Sequence, residues 1–159
     1  TDIIQSELNA RVVYLPMQWP EDVAVADKIA GRCEQPPVVL REEYTTGELL
    51  SLVGNLDLLI SIRLHALIFA AVMNVPMVGI SYDPKVERFL AGVGDRAAGN
   101  LMTVTVDGLM NRVREIWAAN EQPNRSRSEK INLLRERAFQ NAELALELIG
   151  AYQRSSTRR

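Results

Sequence analysis

The chain has 159 residues, 47% of them apolar and 24% charged, with a formal net charge of −2. This describes one ordinary globular domain with enough chain for a real core, and excludes a disordered or collagen-like composition. The near-balanced charge gives no bulk attraction for nucleic acid, and no apolar run reaches the roughly 18 residues of a membrane-spanning helix.

The first residues, TDIIQSEL, read as the end of a helix with no charged-then-apolar leader, so the chain is expected to be a fragment lacking its amino-terminal part. A short β-branched strand is predicted over 12–15, ended by Pro16. Apolar spacing at Val23, Ala26, Ile29 and Ala30 predicts a helix over 21–32, stopped near Gly31. A second strand follows the Pro36-Pro37 break at 38–40. Residues 46–53 form a helix capped by Thr45 or Thr46 and stopped by Gly54. The third strand, 58–62, is almost continuously hydrophobic, as strands of a parallel sheet are.

Residues 66–73 are apolar nearly all round, which predicts a helix buried against the sheet and ended by Asn74. A fourth strand is expected at 77–81, a short helix at 84–91 closed by Gly92 and Gly94, and a fifth strand at 102–105. An amphipathic helix follows at 106–119, with Leu109, Val113, Ile116 and Trp117 on one side. Residues 123–128 read as a basic loop carrying Arg125 and Arg127, and 129–152 as a long final helix before a frayed SSTRR tail. Its stripe of Ile131, Leu134, Ala138, Ala142, Ala145, Leu148 and Ile149 is expected to pack on the core or on a neighbouring domain.

Strand–helix alternation with short loops predicts a doubly wound, mainly parallel α/β sheet with helices on both faces. The expected division is a ligand-binding domain over 1–122, then the long helix and tail over 123–159. No G-x-G-x-x-G fingerprint occurs, since GVG at 92–94 follows a helix and not a strand, so no dinucleotide cofactor is expected. In such sheets ligands bind at the carboxyl ends of the strands. Two adjacent strand-end turns carry unusual polar groups there: Ser61, Arg63 and His65 in one, Ser81, Tyr82, Asp83 and Lys85 in the other.

Arg63 offers a planar fork for an oxyanion at a helix amino terminus, where a cation is unfavourable without one. The competing reading pairs Arg63 with a nearby acid such as Asp57 or Glu42 and has His65 cap backbone groups. His65 can donate a hydrogen bond or move a proton near neutral pH. Asp83 and Pro84 are a natural N-cap and first helical residue. Lys85 again opposes a helix dipole, so it is either a third anion ligand or an exposed lysine paired with Asp83 or Glu87. Asp22 and Glu21 could face the same rim, although acids are ordinary in a first helical turn. Trp19 could stack on a sugar or pack at a loop. Cys33, the one cysteine, excludes an internal disulfide, fits a reducing compartment and has no adjacent histidine to make it a nucleophile. A single histidine and a single cysteine make a zinc site unfavourable.

The run SIRLHALIFAAVMNVPMVGISYDPKVERFL, with R-L-H-A at 63–66 and V-P-M-V-G-I-S-Y-D-P-K at 75–85, resembles the carboxyl-terminal signature of the polysaccharide pyruvyltransferases. It is most similar to the branch that modifies cell-wall polymers for surface-layer anchoring, and weaker similarity covers 12–94. The resemblance implies a cytoplasmic enzyme, the inner face of the membrane included. Its fold would be GT-B-like with two domains, this chain being the second, Rossmann-like half. It further implies phosphoenolpyruvate as donor substrate, no cofactor or metal, and a glycan or lipid-linked saccharide as acceptor. By the same resemblance Arg63, His65 and Lys85 hold the donor, with Ser61 and Ser81 beside them, and His65 assists proton transfer. The family's amino-terminal half has no counterpart here, so the chain alone is expected to be inactive. Two other readings stay open: the nucleotide-sugar-binding domain of a GT-B glycosyltransferase or sugar-nucleotide epimerase, and a non-catalytic interaction module.

Overall fold

The computed structural model describes residues 1–119 and 125–156. After a first helix, α1 (Asp2–Leu8), two short β-branched or aromatic strands, β1 (Val13–Tyr14) and β2 (Val38–Val39), pair in parallel across α2 (Glu21–Ala30). The unit recurs after α3 (Thr46–Gly54): β3 (Leu59–Ser61), α4 (Leu64–Val72) and β4 (Met77–Gly79), with Leu59 opposite Met77, Ile60 opposite Val78 and Ser61 opposite Gly79. Three helices follow: α5 (Pro84–Gly92), α6 (Val106–Ala119) and α7 (Arg125–Ser156).

Period-two alternation sorts the strands' side chains onto two faces. Leu59 and Met77 point into the larger core with Val53 of α3, Ala66, Leu67, Ala70 and Ala71 of α4, and Val86 and Leu90 of α5. Val78 points the other way, onto Met110 and Val113 of α6, with Ile4 and Leu8 of α1 at the edge. Helices therefore cover both faces of the β3–β4 pair. Leu67 and Leu90 are wholly buried, worth about 2–3 kcal/mol each. No described residue of α2 is buried, so the β1–β2 half sits on a thinner core.

Helix ends follow their capping chemistry. Thr45 and Glu48 form a reciprocal capping box at α3. Asp83 caps α5, accepting from the Lys85 N–H at 2.8 Å, with Pro84 in the first turn. Asn74 takes a left-handed φ of 58° just after α4.

Four expectations are corrected. The strands form two separate two-stranded ladders and not one sheet. The fifth strand, 102–105, is absent: the Asn100 side chain accepts from the Met102 N–H and its carbonyl from Val104, which folds the segment into a turn. Only Asn100 bridges in parallel to Ser81. The predicted basic loop is helical from Arg125 onward, while 123–124 lie outside the described residues. The α7 stripe, expected to pack on the core or on a neighbouring domain, sets Ile131 and Leu134 against the core and leaves Ala138, Ala142, Ala145, Leu148 and Ile149 exposed. Ser155 and Ser156 of the expected tail are helical, and 157–159 lie outside the described residues.

Candidate functional site

The parallel register of β3 and β4 brings their carboxyl ends, and the turns beyond them, side by side. The first turn is set by Ser61, whose hydroxyl accepts from the Arg63 N–H at 2.9 Å and bends the chain out of the strand. Arg63 then occupies the N-cap of α4 in an extended conformation, and no side chain caps the helix. The first N–H groups of α4 thus keep their donor capacity and partial positive charge.

The Arg63 guanidinium is half-buried and aimed back at the loop after β1. One terminal nitrogen donates to Gln18 Oε1 at 3.0 Å and the other to Asp22 Oδ1 at 2.7 Å. Asp22 Oδ2 accepts from the Met17 and Gln18 N–H groups at 3.0 and 2.9 Å. Burial opposes ionisation of Asp22, but Arg63 and the two backbone donors outweigh it and hold the carboxyl below its ordinary value. Arg63 thus pairs with a nearby acid, as the competing reading held, and that acid is Asp22 in place of the suggested Asp57 or Glu42. The sequence offered Asp22, with Glu21, as an acid that could face the same rim, without naming Arg63 as its partner. Gln18 had no signal at all, since only the tertiary approach of the two loops makes either a partner.

His65, two residues on, is exposed, and its ring has no hydrogen bond to any described residue, so it does not cap backbone groups. In the second turn Ser81 is buried, its hydroxyl 3.4 Å from the Asp83 carbonyl and its backbone paired with Gly99 and Leu101. Lys85 is exposed, 3.9 Å from Asp83 Oδ2, with its ammonium 5.5 Å from the centre of the Tyr82 ring. That is the lysine–Asp83 pairing weighed above, at a distance solvent screens strongly. Trp19 lies half-exposed with its indole N–H on the Arg41 carbonyl at 3.0 Å.

A concavity among the described residues lies elsewhere. A groove of about 310 Å³ between the β1–β2 pair and α3 is lined by Val13, Leu15, Val38, Leu40, Leu52 and Leu56, with Arg11 and Asn55 beside them. Its mainly apolar walls suit no small oxyanion.

Residues 3–84, just over half the chain, match the family described as polysaccharide pyruvyl transferase. The chain belongs to that family. Membership in the polysaccharide pyruvyl transferases implies a transferase and is consistent with a glycan acceptor. The matched segment contains Gln18, Asp22, Ser61, Arg63, His65 and Ser81, and it ends one residue before Lys85. No curated protein and no solved structure matches the chain. Among the described residues, no helix is long and apolar enough to cross a membrane.

Proposed function

We propose that this chain is the donor-binding half of a GT-B-like, two-domain pyruvyltransferase that takes phosphoenolpyruvate and builds a pyruvate ketal on a cell-surface glycan or its lipid-linked precursor. The supporting observation is the meeting of Arg63, with N–H donors to spare, and the unencumbered ring of His65 at the uncapped start of α4. Phosphoenolpyruvate carries a phosphate and a carboxylate, so its pocket needs more than one positive group. Arg63 and the α4 N–H groups supply one locus, and Lys85 on the neighbouring turn the other.

The reaction balances on these groups. His65 delivers a proton to the methylene carbon, which becomes the methyl group, and an oxocarbenium-like centre forms at the adjacent carbon. One sugar hydroxyl adds there. The bond from that carbon to the phosphate oxygen breaks, phosphate leaves, and a second hydroxyl closes the ketal; of the two hydroxyl protons, one returns to His65 and the other leaves with the phosphate. Arg63 and Lys85 stabilise the charge that gathers on phosphate. The acceptor site belongs to a second domain, so the chain alone binds donor without turning it over.

The test is a proton NMR titration with phosphoenolpyruvate that follows the ring of His65, the only histidine. A saturable shift absent with uridine diphosphate supports the reading, and Arg63→Ala should weaken binding at least about tenfold, as loss of a charge-assisted contact does. Displacement by uridine diphosphate sugars but not by phosphoenolpyruvate would replace it with a nucleotide-sugar site.

A further inference from the structure

The surroundings of Arg63 raise a problem of sign. A carboxylate 2.7 Å from the guanidinium partly cancels the charge that an anion would seek. By Coulomb's law alone, a chain without Asp22 should hold an anion more tightly.

The geometry gives Asp22 a different part. A guanidinium has five N–H donors in a rigid plane. Gln18 and Asp22 take one from each terminal nitrogen, which leaves the Nε donor and one donor on each terminal nitrogen. Nε and the remaining terminal donors have no partner among the described residues. Asp22 is itself immobilised, because its second oxygen is held by the Met17 and Gln18 N–H groups. The chain of contacts runs from two backbone amides through a carboxylate to the guanidinium plane. A long side chain that would otherwise lose rotamer freedom on binding is already fixed.

We infer that Asp22, assisted by Gln18, is the positioning residue of the anion site: it orients Arg63 so that the remaining donors of its fork meet a planar oxyanion in two-point contact. This deepens the donor-binding reading and rests on it. Neither side chain touches the ligand; both act through Arg63. The predicted ligand class is a small carboxylate or phosphate bound side-on, and Arg63→Lys, which keeps the charge and loses the plane, should not restore binding.

The experiment is a double-mutant cycle on the full chain, with phosphoenolpyruvate affinity read from the His65 ring signals. Asp22→Asn should weaken binding about tenfold and Gln18→Ala about threefold, and both losses should vanish in an Arg63→Ala background. Asp22→Glu should recover part of the loss. Gln18→Ala leaves the carboxylate and the backbone bonds in place, so it decides the matter if Asp22→Asn disrupts the loop. Unchanged or tighter binding in Asp22→Asn, or a loss that persists without Arg63, overturns the inference while leaving the donor site standing. Absence of binding by the unaltered chain overturns both. The two failures are thus told apart by the wild-type titration.

Discussion

Replacing Arg112 by methionine should be among the most damaging single changes in this chain. Its side chain is 7% exposed and pairs with Asp95, itself 6% exposed, and with Glu115 at 2.6 Å. Burial disfavours the charged guanidinium, yet Glu115 and Asp95 outweigh it and raise its pKa, so the residue stays protonated. Its Nε has no hydrogen-bond partner, a cost the network already carries. Removing one member of a buried pair strands the other at about 3–5 kcal/mol. Asp95 keeps the Arg96 N–H at 2.6 Å, and Glu115 is half-exposed and simply rehydrates, so the lower end applies. A loss of about 3 kcal/mol lowers the melting temperature by about 6–12 °C in a domain of this size. The Arg112→Met, Asp95→Asn double variant should recover most of it, since removing both charges leaves nothing stranded. Urea and thermal unfolding of the four chains measure this. A single-variant loss below about 1 kcal/mol, or a double variant as unstable as the sum, refutes the reasoning. Because the Ser81 backbone pairs with Gly99 and Leu101 just beyond Asp95, amide exchange at Leu101 should accelerate in Arg112→Met.

Three further outcomes are expected. Thr45→Ala breaks the capping box of α3 and should cost about 1 kcal/mol in urea unfolding. Gly79→Ala places a Cβ 2.7 Å from Leu90 Cδ1 and 3.2 Å from Leu67 Cδ1, both side chains wholly buried, so overpacking should cost about 1–3 kcal/mol by the same measurement. The pKa of Asp22 is lowered on folding, so its contribution to stability is full above the ordinary value of 3.8 and is lost as pH falls through the folded value. Unfolding free energies of wild type and Asp22→Asn should therefore converge below about pH 4, and a gap that widened toward acid would contradict the assigned sign.

Much of this fold was legible where local chemistry decides it. The helix at 106–119 was placed from amphipathic spacing alone, and Thr45, Asp83 and Pro84 marked helix starts because capping is a matter of a few adjacent residues. The turn at 102–105 was missed because Thr103, Val104 and Thr105 favour strands by propensity, while the side chain of Asn100 offers a competing hydrogen bond. Strand edges were beyond reach, since a ladder forms or fails on distances between segments far apart in sequence. At the candidate site, Arg63 and His65 stood out as polar groups at the end of a buried strand. Asp22 was weighed only as an acid that could face the same rim, and Gln18 not at all, because their pairing with Arg63 exists only once two loops, 41 residues apart for Asp22 and Arg63, are folded together.

The division of the strands into two ladders has a dynamic consequence. With no shared backbone ladder and no buried residue on α2, the segment from β1 to β2 is the part most ready to open independently of the β3–α4–β4 block. The side chains of Arg63, Gln18 and Asp22 join the two across that seam. An anion bound to Arg63 as oriented by Asp22 and Gln18 would favour the closed arrangement by mass action. Slowed hydrogen exchange would then spread through α2, on the far side of the seam from the proposed donor site at the uncapped helix start.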